Sequence, residues 1–559
     1  MLFLENVDLV VHDHIQAVIL GGGTAGLRAG AELSGNGLPS LILSKGPPCR
    51  GIVGMNALLE EADDTRELFL GDTLQAAAGI GVKNLAEKMV DNSKAELAYM
   101  EQLGLEFLHD EHYRPRRTSG NSAHRTVYTT DRTGEEIIEA LGGAYTGQGG
   151  YMVRNRQAVS IIATDGIVSG VLAVDPGTAQ FHLYPCSAVI VATGGLGNLY
   201  THSTNNSSLS GDGLMLALDT GAKLRDMEFV QFEPFALMLS GSDSFFSLSF
   251  LLEDKPQIYC EQGKAVFADG EVETLTKAQI SLKLYQRIAE LRHAGKPGRL
   301  FFDCTHIPTK RLQLHGKLIE LCGSFGLSLD RDPLPFTPAQ HYLLGGIAVN
   351  ERYETAVPGL FAAGEAAGGT HGADRLAGNS ALDTLVSGKL AAASLIRYLQ
   401  GGNASAPCEE ALNRSVDVAR DTVDDLMQTA GKYSSLSYRQ DLLQLQQLMW
   451  DYAGIVRCND SLASARKGIE ILKALKNDSS QDAPAAVSSG SNAQNALGLA
   501  LAWSNRLTVA EMIVESAMMR EESRGVHYRS DYPYIDPSLG KSILVRREKG
   551  SGGYRFGWS

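Results

Sequence analysis

Between Gln16 and Gly46 the sequence reads QAVILGGGTAGLRAGAELSGNGLPSLILSKG. A short apolar run, Ala17 to Leu20, ends in glycines. An alanine-rich, helix-prone stretch follows from Leu27 to Leu33, and a second apolar run from Ser40 to Leu43. Short apolar runs bounded by turn residues predict buried strands, so this order predicts a βαβ unit and a parallel sheet. Helical periodicity covers Asp63 to Leu108, and Ser187 to Thr193 reads as a further buried strand ending in glycine. Met227 to Phe232 is strand-like and leads to Glu233 and Pro234. Proline cannot donate to a sheet ladder, so the chain is expected to leave the sheet there.

Beyond Phe232 the texture becomes Ser/Phe-rich and charged as far as about Pro335, which predicts an inserted domain. Val357 to Glu365, VPGLFAAGE, restores a strand-like pattern punctuated by glycine. From Ala406 to Met519 the chain reads as largely helical, interrupted by a polar, flexible-looking segment from Asp478 to Asn492. The closing KGSGGYRFGWS reads as a mobile tail.

A chain of 559 residues is too long for one simple core, and two to four domains are expected. Hydrophobic residues at 44% and charged residues at 20% are the balance of a soluble globular protein. Its 60 glycines favour a glycine-rich cofactor site over disorder. A net charge of −14 with no long Lys/Arg run argues against nucleic acid and against an anionic membrane surface. The seven cysteines are scattered without a CxxC pair, which predicts reduced thiols in a cytoplasmic protein. That scatter also leaves no iron–sulfur cluster or other metal site expected within the chain. No signal peptide is expected, nor any membrane span, because no apolar run reaches about 18 residues.

Gly21, Gly23 and Gly26 form GxGxxG between the first strand and the first helix. The first glycine permits the tight turn, the second lets a pyrophosphate approach the backbone, and the third lets helix and strand pack. The helix start adds free N–H groups and a positive dipole end. Ser44 and Lys45 stand where a ribose-binding acid would be expected for NAD, which disfavours a simple NAD-binding protein.

From Ala192 to Phe232, ATGGLGNLY…TNNSSLSGDGLMLALDTGAKLRDMEFVQF resembles the flavoproteins of the succinate dehydrogenase, fumarate reductase and L-aspartate oxidase family. HRTVYTTDRTG at His124, HYLLGGI at His341, VPGLFAAGEAAGGTHGADRLAGNSALDTLVSG at Val357 and ESRGVHYRSDYP at Glu522 agree, so the resemblance covers nearly the whole chain. It implies an α/β fold. A Rossmann-like FAD-binding domain (1–231 and 339–404) would be split by an inserted α+β capping domain (232–338). A C-terminal helical domain (405–535) and a tail (536–559) would follow.

The resemblance also implies cofactor contacts. Gly21, Gly23, Thr24, Ala25 and Gly26, with Ser44 and Lys45, would hold the ADP half of FAD. Ala192, Thr193, Gly194 and Gly195 would line the dinucleotide, and Asp212 would contact it. Glu365 would bond the ribityl chain, with Asn379 and Ser380 near the flavin ring. GPPCRGIVGMNALLE carries no histidine where the family's succinate dehydrogenases attach flavin covalently, so FAD is expected to be non-covalent. That absence leans towards reduction or oxidase chemistry.

For catalysis the resemblance assigns His341 and Arg375 to a substrate carboxylate, which suits a planar guanidinium fork. TLTKAQISLK places Lys277 where the family has its proton-donating arginine. Glu233 replaces the histidine that members handling fumarate or succinate use on the far carboxylate. An ionised Glu233 facing a second carboxylate would cost on the order of 1–4 kcal/mol.

The expected activity is therefore hydride transfer between flavin and a carbon–carbon bond beside a carboxylate, with fumarate itself disfavoured. The expected partners are a small carboxylate substrate and an iron–sulfur electron-transfer subunit. Alternatives are an oxidase related to L-aspartate oxidase, with Glu233 receiving an ammonium, and a non-catalytic electron-relay subunit.

Overall fold

The computed structural model describes residues 9–59, 63–109, 112–239, 246–403, 409–430, 435–478, 491–548 and 552–559. Strand Ile15–Leu20, helix Thr24–Gly35 and strand Ser40–Ser44 form the expected βαβ unit, with the two strands parallel. They belong to an eight-stranded sheet. Its main path runs Tyr151–Arg154, Ser40–Ser44, Ile15–Leu20, Phe181–Val191, Ile167–Val174, Gln157–Thr164. Leu9–Val11 and Leu360–Ala362 also pair with the Phe181–Val191 strand. That strand starts six residues before the expected Ser187, because its first half pairs antiparallel with Ile167–Val174.

A second sheet is antiparallel and built wholly from residues 230–343. Its order is Phe246–Ser247, Val230–Leu237, Leu334–Leu343, Leu300–Asp303, Gln257–Cys260. It has its own core, in which Phe235, Phe302 and Phe336 pack against one another under helix Lys277–His293. The larger core lies beneath the eight-stranded sheet and extends into the C-terminal helices through Trp503 and Leu445.

Pro234 does not end its strand. Val230–Leu237 continues past it, and the ladder absorbs the proline in a bulge between the Glu233–Ala339 and Ala236–Thr337 pairs. A second irregularity lies nearby in the same ladder: Gln231 faces Tyr342 and Phe232 faces Gln340, so His341 has no partner opposite. Both bulges flank chemistry-bearing side chains, a common use of such irregularities.

Helices Glu409–Ala430, Ser435–Tyr452, Asn459–Asp478 and Ser491–Met519 make up the helical C-terminal part. The polar segment expected to interrupt it falls mostly on residues 479–490, outside the described residues. The closing residues are not a loose tail. Tyr554–Trp558 pairs with Ile543–Arg547, which pairs in turn with Leu224–Arg225. Ile543 and Val545 are fully buried, and the Arg520 guanidinium lies 5.1 Å from the Trp558 ring. Glycines at 552, 553 and 557 hide a short alternating strand at the level of sequence.

Candidate active site

One cavity of about 560 Å³ joins the glycine-rich turn to the antiparallel sheet. At one end it is lined by Gly21, Gly23, Thr24, Ala25, Ser44, Lys45, Ala192, Thr193, Gly194 and Asp212. At the other it is lined by Glu233, Ser249, Lys277, His341, Glu365, Arg375 and Ser380.

The turn geometry follows from its glycines. Gly21 has φ +109°, and a Cβ there would stand 2.3 Å from the Ala192 carbonyl oxygen. A Cβ at Gly26 would meet the Gly21 carbonyl oxygen at 1.9 Å, so that glycine closes the turn without reaching the cavity. A Cβ at Gly23 would meet nothing within 4 Å, which leaves its backbone open to a ligand. Lys45 Nζ donates to Asp212 Oδ2 at 2.7 Å, and Asn505 donates to Asp212 Oδ1 at 2.7 Å. Burial raises the Asp212 carboxyl, but the Lys45 ammonium together with hydrogen bonds from Lys45, Asn505 and Ser210 outweighs it and holds the group below the usual range.

Two expected cofactor contacts act from behind the wall. Gly195 packs so closely on Glu365 that a Cβ would fall 2.1 Å from Oε1. Asn379 does not line the cavity: it accepts from Asn56 at 2.7 Å and donates to Thr73 at 3.2 Å. Its place at the start of a buried helix turns the side chain into a tie between elements.

At the far end Glu233 is fully buried and Lys277 is 6% exposed. The Lys277 ammonium donates to Glu233 Oε2, and the Ser249 hydroxyl donates to Glu233 Oε1. Lys277 is held at the first turn of its helix, where Thr276 and Gln279 form a reciprocal cap. Burial alone would raise the Glu233 carboxyl, but the Lys277 ammonium and the hydrogen bonds from Lys277 and Ser249 bring it down to about 2. Lys277 is therefore buried in the site and not solvated on its helix.

His341 Nδ1 shares a hydrogen bond of 2.8 Å with the Thr204 hydroxyl, and Asn205 donates to the His341 carbonyl at 2.7 Å. Burial, with the charges of Lys277 and Arg375, lowers the imidazole to about 3, so it is neutral near pH 7.

Arg375 does not pair its guanidinium with Asp374, which instead accepts the Arg375 backbone N–H at 2.8 Å. The guanidinium donates to Gln231 Oε1 at 2.7 Å and to the Leu376 carbonyl at 3.1 Å, and lies 4.5 Å from the Tyr342 ring. Its Nε is buried and has no hydrogen-bond partner among the described residues. Burial raises the nearby Glu365 carboxyl to about 7, against a bond from the Leu343 N–H at 2.9 Å.

Sequence reasoning missed Thr204, Asn205, Gln231 and Ser249, which hold these groups in place. Gln231 sits two residues before Glu233 on the same strand, a spacing that points to a shared face. Thr204 and Ser249 carried no such signal.

Residues 16–381 match the family described as FAD binding domain, and residues 442–551 match fumarate reductase flavoprotein C-term. The chain belongs to the succinate dehydrogenase/fumarate reductase flavoprotein family. It is an FAD-dependent oxidoreductase of the fumarate reductase/L-aspartate oxidase type. It is 30% identical to one of the subunits of fumarate reductase (CoM/CoB) from Methanothermobacter marburgensis, over 95% of this chain and 97% of that one. It is 28% identical to L-aspartate oxidase of Pseudomonas aeruginosa, over 96% and 98% of the two chains. The fold is that of a quinol-fumarate reductase solved with menaquinol molecules, with a TM-score of 0.87 at 24% identity, covering 99% and 98% of the two chains.

The cavity fits the cofactor of this flavoprotein family. It offers the open Gly23 backbone and a buried Thr193 hydroxyl that has no hydrogen-bond partner among the described residues. Among the described residues no helix is long and apolar enough to cross a membrane.

Proposed function

We propose that this flavoprotein reduces a carbon–carbon double bond conjugated to a single carboxylate. The observation that carries the proposal is the buried Glu233–Lys277 pair facing Arg375 and His341 across one cavity. Lys277 and Arg375 are cations, Glu233 is an anion and His341 is neutral, leaving one net positive charge among these four, with the Glu365 carboxyl beside them raised to about 7 and so only part-ionised. That balance suits an acceptor with one carboxylate and disfavours fumarate, which brings two.

Non-covalent FAD, held by Gly21–Ala25, Ser44, Lys45, Ala192–Gly194, Ser380 and Glu365, would supply hydride chemistry at the acceptor. Arg375, through its unpartnered Nε, and His341, through a neutral imidazole, would bind and polarise the carboxylate. Lys277 Nζ would deliver the proton to the substrate carbon. Thr204 and Asn205 fix the His341 ring, and Gln231 fixes the Arg375 fork. The antiparallel unit, 232–338, would act as the cap that closes over the substrate and excludes water. An iron–sulfur partner is proposed as the electron source, because one relative is itself named as part of a multi-chain fumarate reductase.

The test is anaerobic reoxidation of the photoreduced flavin. Crotonate is expected to reoxidise it faster than fumarate, and equal or faster reoxidation by fumarate would refute the charge argument.

A second reading has its own support in the fully buried Glu233 carboxylate, which can accept a substrate ammonium, and in the L-aspartate oxidase relative. It requires an amino acid to displace Lys277 from Glu233. Hydrogen peroxide release with L-aspartate in air would establish it over the reductase.

A further inference from the structure

Arg116 is a buried cation that no group among the described residues pairs with. It is 7% exposed and lines the cavity. Its guanidinium lies 3.5 Å from the centre of the Tyr128 ring and 5.6 Å from that of Phe250. Among the described residues it has neither a hydrogen-bond acceptor nor a carboxylate partner. The charged groups around it are engaged elsewhere. Lys317, which also lines the cavity, holds Glu135 at 2.9 Å, and Arg311 holds Asp254. Glu253 accepts the Arg117 N–H at 2.7 Å, and Asp131 accepts the Leu318 N–H at 2.9 Å. The His315 imidazole, packed on Phe250, is pushed down to about 4 by burial and by the Arg116 charge, so it is neutral near pH 7.

An arginine cannot shed its proton, so burial leaves the charge in place. Aromatic stacking occupies the faces of the guanidinium and offers no acceptor to its N–H edge. A buried charge in that condition is costly until something supplies the missing acceptors. The walls beside it are apolar: Phe246, Phe250 and Leu321 of the antiparallel unit line the same cavity. Phe250 directly follows Ser249, whose hydroxyl donates to Glu233, so this apolar wall adjoins the Glu233–Lys277 pair.

We propose that Arg116 binds a second, remote carboxylate, and that the substrate is an elongated 2-enoate carrying that carboxylate at the far end of an apolar spacer. The proposal deepens the reductase reading and rests on it. Arg375 and His341 take the conjugated carboxylate, the spacer lies along Phe246, Phe250 and Leu321, and the remote carboxylate meets the Arg116 fork. Fumarate gains nothing from this arrangement, because its carboxylates sit on adjacent carbons of one double bond and the second falls beside Glu233.

The test is binding to the oxidised holoenzyme, followed by the flavin spectrum. The probes are trans-hex-2-enedioate and trans-oct-2-enedioate, each set against the monoacid of the same chain length. At least one diacid is expected to bind about tenfold tighter than its monoacid, or more. Arg116→Met should bring that ratio close to one, and Arg116→Lys, which keeps the charge without the fork, should keep part of it. Wild-type ratios near one at both lengths would overturn the proposal, whether or not Arg116→Met folds. So would an Arg116→Met protein that keeps the preference, or one that weakens diacid and monoacid equally, which would make Arg116 merely structural. Flavin lost from an Arg116→Met protein whose FAD-free form melts as wild type does would place Arg116 on the cofactor and overturn it too. Failure of crotonate, the monoacids and the diacids alike to reoxidise reduced flavin would instead overturn the reductase reading. The two failures separate because binding is read on the oxidised enzyme and needs no turnover.

Discussion

Glu233 and Lys277 come from different elements, a bulged strand and a helix start, and meet as an ion pair with 0% and 6% exposure. A buried pair of this kind gains little over an apolar pair, but removing one member leaves the other charge stranded. Lys277→Met is therefore expected to lower stability by about 3–5 kcal/mol. The Lys277→Met/Glu233→Gln double variant should recover more than half of that loss. Denaturant unfolding of the FAD-free proteins checks it, and a double variant no more stable than the single would show that Glu233 carries no stranded charge.

The glycine turn separates a packing role from a binding role. Gly26→Ala forces a Cβ into the Gly21 carbonyl, whereas Gly23→Ala meets open space. Gly26→Ala should lower the melting temperature of the FAD-free protein, by several degrees at least. Gly23→Ala should melt normally and lose FAD on dilution. Flavin absorbance per protein, measured beside the thermal melt, distinguishes them.

Glu365 gives the FAD-free protein a specific pH dependence. Its carboxyl sits at about 7 in the fold against 4.5 as an ordinary glutamate, so the folded state binds the extra proton between those values. Stability contributed by Glu365 is full below 4.5 and is lost as pH rises towards 7, by about 3 kcal/mol. Glu365→Gln should flatten this slope, measured by unfolding across that window.

Much of the fold was legible because its signals are local. The βαβ unit shows in a short stretch of apolar, glycine and alanine residues, and the glycines do what the turn geometry requires. The site was legible as a set of names without its relationships. Glu233 and Lys277 lie far apart in sequence, so their pairing, which changes the meaning of both, is a tertiary fact. The same holds for Thr204 behind His341 and Gln231 behind Arg375. The readings that failed were those in which a local rule was overridden. Pro234 stays in its strand because a bulge takes up the missing donor, and the glycine-spaced end of the chain is ordered by pairing with Ile543–Arg547.

The central claim is that the Glu233–Lys277 pair sets the charge the cavity accepts. It is tested most directly by titrating fumarate and crotonate into the oxidised wild-type and Glu233→Gln holoenzymes and following the flavin spectrum. Removing the carboxylate leaves Lys277 and Arg375 uncompensated, so fumarate should bind about fivefold tighter or more in Glu233→Gln, with its affinity relative to crotonate rising in step. An unchanged ratio of the two affinities would contradict the claim.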